Sequence, residues 1–207
     1  MSGTSTDWRA RRRELTRREI LDAAWELARE QGLAGLTMRD LGARVGMRAQ
    51  SLYSHFPSKH AIYDAMFAQG NRELSDRIVA LDGEDGGRRD PETRLRRLTK
   101  TFPQFSVEDP VRHQLLNQRP IPGFEPSPES YRIAVEGLAL ALAVLRDCGV
   151  TSARAVDTWT ALIGGLAAQQ NANEPGGTRW LRLADEATDM FLHHFAHQSR
   201  EGTGGQP

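Results

Sequence analysis

Apolar residues along this chain recur at intervals of three and four, and strand-like alternation with β-branched enrichment is missing. That pattern predicts helix almost throughout. The first clear repeat, Ile20, Ala23, Ala24 and Leu27, lies in a helix expected from Thr16 to Gln31. Thr16 and Glu19 have capping-box spacing, and Gly32 suits a left-handed turn at the end. A short segment follows from Thr37, with Asp40 at its third position and Met38, Leu41 and Val45 as apolar positions. Gly46 supplies the next turn, and a third segment, about Arg48 to His55, points Leu52 inward. Phe56-Pro57-Ser58 breaks the chain, and Ser58 is placed to cap a longer helix through Ile62, Met66, Leu74 and Ile78.

Residues 83–90 read as a loop, and Asp90-Pro91 opens a helix expected to reach about Phe105. Another short helix follows Pro110 and stops near Arg119. The proline-rich stretch PIPGFEPSP, residues 120–128, is incompatible with regular helix. Ser127 caps and Pro128 opens a helix running to Cys148, and two last helices are expected over about 152–171 and 178–197. The expectation is an all-α fold of about nine helices with a Gly-rich, disordered tail over 201–207.

Two short helices joined at Gly46, with a third leading in, have the plan of a helix-turn-helix domain. Leu41, Val45 and Leu52 are spaced to meet Ile20 and Leu27 in a small core. The outward side of the third segment then carries Arg48, Gln50, Ser51, Ser54 and His55, groups able to reach base edges or phosphate oxygens. Charge supports this division. The 207-residue chain has 27 Lys+Arg and 27 Asp+Glu, yet residues 1–60 hold 11 basic and 7 acidic side chains, a net +4 balanced by −4 in the remainder. A basic head on an acidic body suits a polyanion partner. The run Arg9–Arg13, RARRR, has two readings: a solvated end, or an arm entering the minor groove.

Glu19–Ala65 resembles the DNA-binding domain of TetR/AcrR-family transcriptional regulators. The residues that carry the likeness are Ile20, Ala23-Ala24, Leu27, Gly32, Leu36-Thr37, Leu41, Gly46, Leu52-Tyr53, His55-Phe56 and Lys59. The resemblance implies phosphate contacts for Tyr53 and His55. Lys59, at a helix start that already favours anions, is a further phosphate candidate. Thr37 reads first as a helix cap and second as a phosphate contact, and Arg39 lies exposed on the second helix. Two positions depart from the family's habit. Arg48 stands where Ser or Thr is common at the start of the recognition helix, so a side-chain cap is missing, and Gln50 replaces a small residue or Pro.

The resemblance further implies a DNA-binding domain over 1–59, with the helix-turn-helix at about 37–56, and a ligand-binding and dimerisation domain over 60–200. A homodimer would bind a palindromic double-stranded operator and be released by a small-molecule effector. Phe102, Phe105, His113, Leu116, Asn117, Tyr131 and Trp159 are the candidates for the effector pocket, beside the PIPGFEPSP segment. Trp159, Ile163, Leu166, Ala187, Met190, Phe191 and His194 are the candidates for the dimer interface, where Gly164, Gly165 and Ala167 allow close helix approach.

Other chemistries find little footing. One cysteine, Cys148, excludes an intramolecular disulfide framework and a multi-cysteine metal site, and reads as a small buried residue. His193 and His197 are four apart but lack a local third ligand, so no metal and no cofactor is expected. No nucleotide-binding or hydrolase motif is present, and no coherent catalytic cluster favours an enzyme. A DNA-binding architectural protein that senses no ligand is the remaining alternative. The longest apolar stretch, residues 133–145, is too short for a bilayer and is interrupted by Glu136, and no apolar leader is visible, so a cytoplasmic protein with no membrane partner is expected.

Overall fold

The computed structural model describes residues 3–83 and 90–201, with side chains over 8–81 and 90–195. The expected loop and Gly-rich tail therefore lie, apart from their ends, outside the described residues. Within them the fold is all-helical: α1 (Gly3–Gln31), α2 (Met38–Arg44), α3 (Ala49–Tyr53), α4 (Lys59–Gly83), α5 (Pro91–Glu108), α6 (Pro110–Asn117), α7 (Pro128–Asp147), α8 (Ala153–Asn173), a 3-10 turn (Leu181–Leu183) and α9 (Ala184–Glu201). No described helix is long and apolar enough to cross a membrane.

Most expected caps are made. The hydroxyl oxygen of Thr37 accepts from Asp40 N at 3.1 Å, Ser58 from Ala61 N at 3.1 Å, and Ser127 from Ser130 N at 3.2 Å. The Asp90 carboxylate accepts from Glu92 N and Thr93 N. Two boundaries differ from expectation. α1 begins at Gly3, not Thr16, and the Thr16 hydroxyl bonds back to Arg12 O at 3.1 Å instead of capping. An exposed Arg-rich stretch carries no apolar repeat, yet arginine is a good helix former, so propensity extends the helix where periodicity is silent. α9 begins at Ala184, later than expected, because Glu174 accepts Arg179 N–H and Gln170 accepts Trp180 N–H, each at about 2.8–2.9 Å. These side chains take backbone donors that would otherwise face the start of a helix.

The chain forms two compact units. One comprises Met1–Gly70 with Gln114–Tyr131, the other Asn71–His113 with Arg132–Pro207. In the first, Ile20, Ala24, Leu27, Leu36, Leu41, Leu52, Phe56, Ile62 and Met66 are fully buried, and Val45 is half-buried. In the second, α5, α7, α8 and α9 enclose Leu95, Leu98, Val144, Leu145, Trp159, Ile163, Phe191 and Leu192. Trp159 Nε1 donates to the buried Thr99 hydroxyl at 3.1 Å, which satisfies both groups inside the core. Arg112 is also buried there. Its guanidinium lies 3.7 Å from the Phe105 ring centre, pairs with Glu73 at 2.8 Å and donates to Phe105 O at 3.1 Å. Cys148 is half-buried, and burial with nearby carboxylates pushes its thiol up to about 11, so it is protonated at neutral pH and a poor nucleophile.

Candidate nucleic-acid interface

The turn between α2 and α3 is set by two glycines. Gly46 takes φ +66, and a Cβ on Gly42 would sit 2.8 Å from Met47 O. Met47 N donates to Gly42 O at 2.8 Å and holds the crossing closed. Arg44 on α2 pairs with Glu30 at 2.6 Å and Glu26 at 3.2 Å on α1, a surface tie that orients the pair of short helices.

α3 is anchored by Leu52, which is fully buried. Arg48 is its N-cap by backbone geometry but makes no side-chain cap, as the sequence suggests. Its guanidinium is thereby left to solvent, and Arg48, Gln50, Ser51, Tyr53 and Ser54 are all exposed. Tyr53 is 49% exposed, high for a residue that a core would welcome. Arg39 is exposed on α2, and Thr37 is exposed with its hydroxyl proton given to Asp40 at 2.7 Å. Lys59 reaches Ala34 O at 3.3 Å and lies 5.5 Å from the Tyr63 ring centre. Tyr63 in turn donates to Leu33 O from a fully buried site, where desolvation pushes its hydroxyl up to about 12.

The C-terminal end of α3 is held by α1. Arg13 Nη2 donates to Ser54 O at 3.1 Å, and Arg17 donates to His55 O while its guanidinium sits 4.1 Å from the Phe56 ring centre. This clamp is not legible from the sequence, because an Arg run names no partner. His55 lies beside this clamp. Burial, with Arg13 and Arg17 close by, lowers its pKa from the ordinary value, so the ring is neutral at neutral pH. Nδ1 is buried without a hydrogen-bond partner. The run Arg9–Arg13 is helical, not an extended arm. An α-helix with its side chains is about 10–12 Å across, wider than the roughly 6 Å minor groove of B-DNA, which disfavours the reading of this segment as an arm in that groove.

The pocket candidates separate. Leu116, Asn117 and Tyr131 line one cavity of about 380 Å³ in the first unit, together with Phe67, Arg119, Ile121 and Phe124. The PIPGFEPSP segment forms much of its wall. Phe102, Phe105, His113 and Trp159 belong to the second unit. There Trp159 and Phe105 are buried, and Phe102 meets His113 edge to face at 6.4 Å. Burial alone lowers the His113 pKa. The dimer candidates separate too. Trp159, Ile163 and Phe191 lie inside the protomer's own core, Leu166 and Ala187 are half-buried, and His194 is exposed. Met190 is 64% exposed. The Arg154 guanidinium reaches His194 Nε2 at 3.3 Å. Among the described residues no group of three His, Cys, Asp or Glu is placed to hold a metal.

A compact unit that presents α3, tied at both ends and exposed along one side, has the plan of a helix-turn-helix domain. The comparisons agree. The family model described as "Bacterial regulatory proteins, tetR family" matches residues 20–66. The class D tetracycline repressor protein of Escherichia coli is 42% identical over 52 residues, 25% of this chain and 24% of that protein. The repressor DrrR1 of Streptomyces coeruleorubidus is 30% identical over 137 residues, 66% of this chain and 46% of that protein. The matched segments thus span less than half the length of either relative. The solved structure of the transcriptional regulator FadR from Bacillus subtilis, in complex with stearoyl-CoA, has the same fold. It matches with a TM-score of 0.60 at 14% identity, over 84% of this chain and 96% of that one. Residues 20–66 are thus similar to the DNA-binding segment of TetR-family bacterial regulatory proteins, and the rest of the chain shares the all-helical fold of such regulators.

Proposed function

We propose that this protein is a cytoplasmic repressor, that it binds a palindromic operator as a homodimer, and that a small molecule releases it. The observation that carries the DNA reading is the exposed face of α3, where Arg48, Gln50 and Ser51 all face solvent and Arg48 makes no side-chain cap. Footprinting on the DNA flanking its own gene tests it. Lys59→Ala and Tyr53→Ala are expected to weaken binding to every duplex alike, because phosphates carry no sequence information. Arg48→Ala and Gln50→Ala are expected to change base preference, by about 1–3 kcal/mol at one position for a bidentate contact. Parental binding by all four variants would show that α3 is not the reading element.

Dimerisation is supported by the solvent side of α8 and α9. Ala161, Gly165 and Ala168 are exposed, and a Cβ at Gly164 or Gly165 would meet nothing within 4 Å. Small residues with open space before them, beside exposed Met190, suit a close helix-to-helix contact between two copies. Gly165→Arg with Met190→Asp is expected to give folded monomers in sedimentation, with weakened operator binding. Ile163→Asp, by contrast, buries a charge in the protomer core and is expected to unfold it. A dimer unchanged in the first variant would refute this interface.

Effector binding is supported by the cavity of Leu116, Asn117 and Tyr131, whose wall mixes aromatic and aliphatic groups with a few polar ones. A mostly apolar, weakly polar molecule fits that lining. An alternative, a regulator that needs no ligand, is favoured by Phe105 and Trp159, which fill the core instead of lining a cavity. Screening apolar compounds for release of the footprint separates the two.

A further inference from the structure

The basic turns at the start of α1 are left over from the arrangement described so far. Residues three and four apart share a helix face, so Arg9, Arg12, Arg13 and Arg17 form one stripe along α1. The last two of these hold the carbonyls of Ser54 and His55 at the C-terminal end of α3. The stripe therefore starts at the recognition helix and continues past it, through Arg12 and Arg9, into solvent. Every residue from Trp8 to Leu15 is exposed, and no acidic side chain lies between Trp8 and Arg13. The Arg12 guanidinium rests 5.4 Å from the ring centre of Trp8, which is itself 59% exposed. That contact props the arginine on the helix surface at a cost in rotamer freedom already met in the free protein.

We propose that these turns are a second DNA contact, a rigid basic rail that lies along the phosphate backbone beside the groove occupied by α3. Arg9 and Arg12 supply the charge. The inference rests on the reading of α3 as the recognition helix. It adds a sequence-independent contact whose position is fixed by the Arg13 and Arg17 clamps. Duplex DNA is the partner that the charge and the position favour, because the rail runs on from an element that already faces it. A helix is too wide for the minor groove, so the contact is to phosphate and not to base edges.

The test uses the full chain and two duplexes of equal length. One is selected from a random-sequence pool with this protein, and the other is a scrambled sequence, and both extend ten base pairs beyond the footprint. Arg9→Gln/Arg12→Gln keeps good helix formers at both positions, and circular dichroism reports the fold. The slope of log affinity against log salt is expected to fall by about two per protomer on both duplexes, with the preference between them unchanged. Arg9→Lys/Arg12→Lys is expected to restore most of the slope, since a point charge is enough for counterion release. A parental slope in the Gln variant would overturn the proposal, and so would a loss that Lys does not restore, or transfer of the effect to an acidic protein surface with DNA binding intact. A parent that shows no preference between the duplexes refutes the reading of α3 instead, and the slopes still decide the rail.

Discussion

Replacing Phe56 with Ala is expected to cost about 3–5 kcal/mol of stability and to abolish operator binding. Phe56 is 1% exposed and closes the unit just after α3, where its N–H bonds to Leu52 O at 2.9 Å. Its ring also carries the Arg17 guanidinium at 4.1 Å. Truncation therefore opens a cavity beneath the recognition helix and removes the surface on which its clamp rests. A typical domain has only about 5–15 kcal/mol in hand, so about a fifth of that margin or more is lost. Urea unfolding of Phe56→Ala beside Phe56→Leu checks this, with Leu retaining most of the volume. A loss under about 1 kcal/mol for Ala would show that the ring is not the keystone of the unit.

A loss of similar size, about 3–5 kcal/mol, is expected for Trp159→Ala, by a different route. The indole fills the core made by α5, α7, α8 and α9 and gives its proton to Thr99. Trp159→Phe isolates the hydrogen bond. It keeps much of the bulk but strands the Thr99 hydroxyl, which is 1% exposed, for about 1–3 kcal/mol. Thr99→Val in the Phe background is expected to recover part of that loss, because the stranded hydroxyl is gone. A double-mutant cycle read by denaturant unfolding measures the recovery. No coupling between the two positions would mean the bond contributes nothing in the folded chain.

The sequence made the helices and their caps legible wherever one residue type has one local task. Thr37, Ser58, Ser127 and Asp90 each sit where a hydroxyl or carboxylate meets orphan N–H groups, and the structure uses them so. The recognition helix was readable because Leu52 inward and Gly46 at the turn leave one face for everything else. The rest depends on neighbours distant in sequence. A helical period shows that Trp159, Ile163 and Phe191 share faces with other apolar residues, but not whether a face meets its own core or a second copy. Phe105 reads as a pocket aromatic by type, and becomes a platform between Arg77 and Arg112 only in three dimensions. Arg13 and Arg17 look like surface charge until the carbonyls they grip come into view. Thr16 carried a genuine capping pattern, overruled by a longer helix.

On the proposed reading of the cavity as an effector site, Asp64 bears on which molecules count as signals. Its carboxylate accepts from Ser127 N at 2.7 Å, from the Ser127 hydroxyl at 2.9 Å and from the Ser130 hydroxyl at 2.9 Å. Those serines follow directly on the cavity wall, while Asp64 stands on α4 five residues after Lys59. The wall is thus latched to the helix that follows the recognition helix. Hydrogen bonds to a charged group contribute about 1.5–3 kcal/mol each, so dragging the wall away meets a resistance of several kcal/mol. A compound that seats without disturbing the wall is silent however tightly it binds, since equal affinity for two states shifts neither. On that reading, only a molecule whose shape gains enough by displacing the wall would be heard, and the latch would act as a threshold against small apolar compounds that merely fit.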